Sequence, residues 1–271
     1  MISLISPLTK KVWKYYHPNM MCSSDNSLKG KYVLITGCNR GIGKSILQHF
    51  AEKEANIIAC VRTVSEDFEL LCQNLKNSYA IEVHLFLVDL SDENSIKHFI
   101  GELYKSNLSV HILVNNAGVV TKGLLQMTTM KQLKDVFQIN FFAQVQITQG
   151  VSKLMMRQKT GVIINMASIG GLDAFPAYTS YGCSKSALIY FTKTMSQELS
   201  PYHIRVNAVA PSLTDTAMSN QMGEEANAEI MRRTAIKSLV SVDDVAKLVL
   251  FLSSDDSSFI NGQIIRVDGG M

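Results

Sequence analysis

The chain predicts an α/β fold: one domain built on a doubly wound parallel sheet of about seven strands flanked by helices. Three observations carry this. The strand-like runs are nearly continuous in apolar residues, as strands covered on both faces must be. The segments between them repeat apolar residues at helical spacing, as crossover helices do. A glycine-rich turn joins the first strand to the first helix.

In chain order, residues 31–36 form a short apolar strand, and 41–54 carry Ile42, Ile46, Leu47 and Phe50 at helical spacing. Residues 56–61 read as a strand, 68–75 as a helix, 82–88 as a strand, 95–104 as a helix and 110–114 as a strand. A long, continuous helix is expected over 130–157, then a strand over 161–167 and a helix over 181–199. Residues 204–209 form a strand, 242–252 a helix and 264–267 the last strand. No repeat, low-complexity run or linker divides the chain after residue 28, so the domain is placed at 29–271.

Residues 1–28 differ in character. Lys10, Lys11 and Lys14 stand against Asp25 alone, and the segment lacks the long apolar core of a secretory signal and any arginine. It reads as a poorly ordered extension, with Met20 or Met21 as an alternative start; the rival reading is a membrane-surface or targeting segment. A net charge of +3 is too small to argue for nucleic acid, and no apolar run is long enough to span a bilayer. The cysteines at 22, 38, 60, 72 and 183 are odd in number and lack metal-site spacing, so they read as reduced thiols and no metal is expected. The compartment expected is the cytoplasm, with an organelle matrix such as the mitochondrial one as the alternative if the extension is a presequence.

Two motifs carry chemistry. In Thr36-Gly37-Cys38-Asn39-Arg40-Gly41-Ile42-Gly43 the glycines allow a tight turn, close approach of backbone to a pyrophosphate and close helix packing. The helix that begins there offers free N–H groups to phosphate. The second strand ends in Cys60-Val61-Arg62-Thr63, without the acid that would hold an NAD ribose. Arg40 and Arg62 instead suit the 2′-phosphate of NADP, although each could be an ordinary surface charge. The second motif is Tyr181 and Lys185, four residues apart on one helix face. A phenol beside an ammonium group is a candidate acid–base catalyst, because a nearby positive charge favours the phenolate. Alone, such a pair is more often a solvated helix face than a site.

The order of motifs settles more than the spacing. Thr36-Gly37-x-x-x-Gly41-x-Gly43, Asp89, Asn115-Asn116-Ala117-Gly118, Asn140, Ser168, Tyr181-x-x-x-Lys185 and Pro211 with Thr216 succeed one another along the chain. In this the chain resembles the short-chain dehydrogenase/reductase family over residues 29–271, with its Rossmann-type fold. Gly123-Leu124-Leu125, Asn261-Gly262-Gln263 and the terminal Val267-Asp268-Gly269-Gly270-Met271 make it most similar to the 3-oxoacyl-acyl-carrier-protein reductases.

The resemblance implies roles. Tyr181 would protonate a carbonyl oxygen as hydride arrives, and Ser168 would stabilise the charge on that oxygen. Lys185 would lower the Tyr181 pKa and bind the nicotinamide ribose, and Asn140 would hold a water linking Lys185 to solvent. Thr36, Gly37, Asn39, Arg40, Gly41, Ile42 and Gly43 would cradle NADP(H). Asp89 and Leu90 would hold its adenine, Asn116, Ala117 and Gly118 would line it, and Pro211 and Thr216 would contact its nicotinamide end. Phe175, Pro176, Leu213 and Met218 would form an apolar wall for the substrate, and 213 to about 233 a lid whose stretch 223–227 reads as mobile before cofactor binds. Asn115 reads as a structural hydrogen-bonder between strands.

Partners implied are a small-molecule or thioester substrate, an acyl-carrier protein as its bearer, and three further copies of the chain in a homotetramer that pairs the helices at about 130–157 and 180–200. There are two departures. Ser212 comes after Pro211 where the family usually has glycine. The carrier-protein reductases present basic residues near the active-site entrance, where this chain has Lys159 at one position but Tyr202 at the other. A free ketone, keto sugar or steroid-like substrate therefore stays open, as does a dinucleotide-binding regulatory protein without turnover.

Overall fold

The structure, a computed structural model, describes residues 28–216 and 224–271, with 224–227 as helical backbone. The expectations for residues 1–27 and for Met218 lie outside the described residues. Seven parallel strands form one sheet in the order β3-β2-β1-β4-β5-β6-β7. They are β1 (Tyr32–Thr36), β2 (Asn56–Val61), β3 (Val83–Leu87), β4 (Ile112–Asn115), β5 (Gly161–Met166), β6 (Ile204–Pro211) and β7 (Ile264–Val267). The helices are α1 (Gly41–Glu52), α2 (Glu66–Tyr79), α3 (Glu93–Lys105), α4 (Met130–Phe137), α5 (Ala143–Gln158), α6 (Thr179–Leu199), α7 (Glu224–Arg233) and α8 (Val242–Ser253).

Side chains alternate across a strand, so each central strand feeds two cores. Val33 and Ile35 of β1 join Ile57 and Ala59 of β2 against α1, α2 and α8. Leu34 and Ile58 point the other way, to Ile96 and Phe99 of α3 and Ile147 and Val151 of α5. Burial on both faces holds for β1, β2, β4, β5 and β6. It fails at the two edges: β3 leaves Leu85 and Leu87 exposed, and β7 is half-buried throughout.

The helix bounds shift by a few residues from those expected, and two of the differences have a clear local cause. α2 begins before Phe68 because Ser65 accepts the Phe68 N–H and Glu66, Asp67 and Glu69 face the positive helix end. The helix expected over 130–157 is interrupted by a π-helical turn, Gln138–Phe142. Such a turn inserts one residue into the helical ladder, often at a functional position.

The strand order reverses between β1 and β4. Ligands of open α/β sheets bind at that point, outside the carboxyl ends of the strands. Among the described residues, no helix is long and apolar enough to cross a membrane.

Candidate active site

The glycine turn leaves β1 at this switch point. Thr36 Oγ1 accepts the N–H groups of Asn116 and Ala117, both at 3.0 Å. The Asn116 side chain donates to the carbonyls of Thr36 and Gly37 at 2.9 and 3.0 Å. These bonds stitch the turn after β1 to the turn after β4. Gly37 and Gly41 have φ of +65° and +53°, where a side chain is strained. A Cβ on Gly43 would lie 2.3 Å from the Gly37 carbonyl oxygen and 2.5 Å from Asn116 Nδ2. A Gly43→Ala variant is therefore expected to lose about 1–3 kcal/mol of stability to overpacking and to bind dinucleotide more weakly. Urea unfolding and a dinucleotide titration check both.

Arg40 is the N-cap of α1, extended, with no side-chain cap bond and no acidic residue in the first turn. The first N–H groups of α1 thus lack a side-chain acceptor from their own cap, which suits a pyrophosphate. Ile42 is half-buried within that turn, Asn39 and Arg40 are exposed, and Thr216 lies against Gly41. Cys60 pairs with Thr36 in register and accepts the Gly37 N–H, so Arg62 emerges beside the turn at the same sheet edge. Asp89 comes after β3 on that edge. Its carboxylate accepts from the Ser91 hydroxyl and N–H at 2.7 and 2.9 Å. Those bonds, with Arg62 nearby, hold its pKa below the ordinary value. The Leu90 carbonyl accepts from Gln138. The residues present fit a dinucleotide: an uncapped helix start, a cradle too tight for Cβ atoms and two exposed arginines.

The second half of the site lies across Gly118. A Cβ there would meet Asn140 Oδ1 at 3.2 Å and Lys185 Nζ at 3.4 Å, so glycine lets both groups converge. Asn140 is fully buried in the π turn. Its Oδ1 accepts the Val119 N–H at 2.8 Å; its Nδ2 donates to the Val119 carbonyl at 2.8 Å and to Ser184 Oγ at 3.1 Å. Ser184 passes the link on by donating to the Tyr181 carbonyl at 2.7 Å. Gln144 Nε2 donates to the Ala117 carbonyl at 2.7 Å. The Asn140 side chain is thereby committed to clamping the loop after β4 onto α6.

Ser168 lies just after β5 and accepts the Gly170 N–H at 3.1 Å, which leaves its own O–H to donate. Burial raises the Tyr181 pKa, and a hydrogen bond with Ser168 pulls it down. Lys185 is buried; its Nζ donates to the Met166 carbonyl at 2.6 Å and stands 5.9 Å from the centre of the Tyr181 ring. Burial lowers its pKa to about 8. The expected effect of Lys185 on Tyr181 is therefore not what sets the phenol in the chain without cofactor: the ammonium faces a carbonyl, and burial dominates.

The asparagines of β4 and β5 pair side by side, Asn115 Nδ2 donating to Asn165 Oδ1 at 2.9 Å, as a strand-to-strand tie. Pro211 ends β6. The Ser212 N–H donates to the Val267 carbonyl at 2.9 Å, while its buried Oγ lacks a partner. Phe175 is half-buried under the Arg233 guanidinium, and Leu213 is buried with its carbonyl accepting from Val240. Within the expected lid, 213–233, residues 224–233 are helical, as α7.

The positions expected to meet a carrier protein lie away from this chain's own site. Lys159 and Tyr202 precede β5 and β6, whereas Ser168 and Pro211 lie at the far ends of those strands. A six-residue strand separates the two edges by about 20 Å. Neither residue flanks the entrance within its own subunit. Residues missed from the sequence are Gln144 and Ser184. Ser184 had a usable signal, its place between Tyr181 and Lys185 on the helix.

Known proteins share this fold and much of this sequence. The family model described as enoyl-(acyl carrier protein) reductase matches residues 37–271. The 3-oxoacyl-[acyl-carrier-protein] reductase of Thermotoga maritima is 33% identical over 244 residues, 90% of this chain and 98% of that protein. The structure of a 3-oxoacyl-[acyl-carrier protein] reductase from Brucella melitensis with bound NAD superposes with a TM-score of 0.82 at 31% identity, covering 91% of this chain and 92% of the other. A gluconate 5-dehydrogenase from Burkholderia cenocepacia in complex with NADP and tartrate gives 0.84 at 27% identity, covering 91% and 96%. The match over nearly the whole sheet, with the glycine turn and the Ser168, Tyr181 and Lys185 cluster at its switch point, makes the chain a member of the short-chain dehydrogenase/reductase family, an oxidoreductase acting on CH–OH and C=O groups.

Proposed function

We propose that the chain reduces a 3-oxoacyl thioester, borne on coenzyme A or an acyl-carrier protein, to the 3-hydroxyacyl form with NADPH. The observation that carries this reading is the convergence of Asn140 and Lys185 beside Gly118 and of Ser168 and Tyr181 beside Gly170, in a chain similar to the 3-oxoacyl carrier-protein reductases. A bound nicotinamide supplies the hydride. Tyr181 gives its proton to the carbonyl oxygen, and its raised pKa keeps that proton in place at neutral pH. Ser168 donates to the same oxygen and stabilises the charge that develops there. Lys185, whose Nζ donates to the Met166 carbonyl, would hold the nicotinamide ribose. Asn140 fixes the loop that lines the cofactor. Arg40 and Arg62 hold the 2′-phosphate that distinguishes NADPH from NADH. A homotetramer is supported by apolar side chains left exposed on α4 and α6, among them Met130 and Tyr190. The compartment proposed is the cytoplasm, on the resemblance to bacterial carrier-protein reductases; the organelle alternative rests on a segment outside the described residues.

The likeness to a gluconate dehydrogenase favours a second reading, oxidoreduction of a polyhydroxy acid. One assay separates the two: oxidation of NADPH and of NADH by purified protein with an acetoacetyl thioester and with a keto sugar acid. Thioester turnover with NADPH is expected, and Arg40→Ala and Arg62→Ala are each expected to reduce the preference for NADPH over NADH by about tenfold. Turnover of the sugar acid alone would sink the acyl reading. An unchanged preference in both variants would sink the assignment of NADP.

A further inference from the structure

Tyr178 stands one helical turn before Tyr181, at the N-cap of α6. It is 6% exposed, and its hydroxyl is one of four buried polar side-chain atoms without a hydrogen-bond partner among the described residues. Its ring meets the Tyr181 ring edge-on, with centroids 5.9 Å apart, and the Phe175 ring also at 5.9 Å. Buried tyrosine hydroxyls nearly always find a partner, because an unpaired donor loses its hydrogen bonds to water and gains nothing. Phenylalanine would fill the same space without that cost. The neighbouring polar groups are already paired: Ser168 with Gly170 and Tyr181, Ser180 with Thr121. No acceptor for the Tyr178 hydroxyl is found among the described residues, and its ring packs on that of Tyr181, so an acceptor brought by a ligand would lie close to the group whose proton the reaction uses.

We infer that the Tyr178 hydroxyl reads a second oxygen of the substrate, in a 1,3 relation to the reacting carbonyl. Resting on the proposed function, that oxygen is the thioester carbonyl of a 3-oxoacyl group. Tyr181 donates to the oxygen being reduced, Tyr178 to its 1,3-related neighbour, and the two rings in contact set the spacing. The phenol of Tyr178 is held neutral, since burial and the neighbouring Tyr181 push its pKa up to about 12, so it serves as a donor that does not ionise. A site that hydrogen-bonds an oxygen rejects substrates lacking it, because the buried group is then left unpaired.

The test is Tyr178→Phe, read with three substrates: an acetoacetyl thioester, 2,4-pentanedione and a monoketone of similar length, the last also as a competitive inhibitor. The expected result is a fall of about 10- to 100-fold in kcat/KM for both dioxygenated substrates. The monoketone constants should stay within about twofold, with NADPH affinity unchanged and Tm not lowered. Equal losses on all three would assign Tyr178 to packing, and no loss would remove it from recognition; either overturns the inference. Wild-type protein that reduces the diketone but no thioester would sink the thioester reading alone, and the diketone-to-monoketone ratio would still decide Tyr178. Wild-type protein that reduces none of the three overturns both.

Discussion

Tyr181→Phe is expected to lower kcat for ketone reduction by about 10²- to 10⁴-fold while dinucleotide affinity stays near that of the unchanged protein. The substitution removes one oxygen and its proton and keeps the ring that packs on Tyr178. The site also sets the direction of the pH profile. Reduction needs the protonated phenol, and burial raises the Tyr181 pKa above its ordinary value near 10. Reduction should therefore be flat from about pH 6 to 8, whereas alcohol oxidation, which needs the phenolate, should climb with pH. Steady-state rates in both directions across that range, with a direct NADPH titration of the variant, are the measurement. A variant with near-normal turnover would remove Tyr181 from the chemistry and leave the fold as a dinucleotide-binding scaffold.

Much of this site was legible because its parts lie at strand ends, and strand ends are what apolar runs mark. The bounds of β2 and β7 match the sequence reading residue for residue, Asn56–Val61 and Ile264–Val267. The glycine turn and the Tyr181–Lys185 pair fall where helical and strand periodicities change. The π turn at Gln138–Phe142 was hidden for a physical reason: one inserted residue leaves the apolar spacing of the flanking helices intact. Only the bonds of Asn140 to Val119 and Ser184 show why the ladder yields there. The unpaired state of the Tyr178 hydroxyl was hidden because it is a property of three-dimensional neighbours. Lys159 and Tyr202 were read by their place in a family pattern, and strand direction adds which edge of their own sheet they occupy. Each stands just before a strand, and that alone puts them on the edge opposite Ser168.

Lys185 gives the second large expectation, on stability. In the folded chain without cofactor its pKa is lowered to about 8 by burial, against 10.5 for the exposed amine. Below pH 8 both folded and unfolded chains carry the proton, and folding bears the whole cost of burying the charge, roughly 3 kcal/mol. Between pH 8 and 10.5 the unfolded chain binds more protons than the folded one, so this group's contribution to stability rises with pH. Other groups oppose it: burial raises the pKa of Cys60 and Tyr181, which costs stability at alkaline pH. The difference between wild type and Lys185→Met isolates the amine. The variant also leaves the Met166 carbonyl without its donor, a cost that does not depend on pH. From about pH 7 to 10 the stability of wild type relative to the variant should rise by roughly 2–3 kcal/mol in urea unfolding. A difference that stays constant with pH would mean that Lys185 keeps an ordinary pKa in the folded chain. In the proposed mechanism the same amine holds the cofactor ribose, so the variant should also lose NADPH affinity even where it is the more stable protein. The fold keeps a costly buried charge beside Tyr181 and Gly118 with the Met166 carbonyl as an acceptor, and that placement suits a ligand that gives the amine a further one.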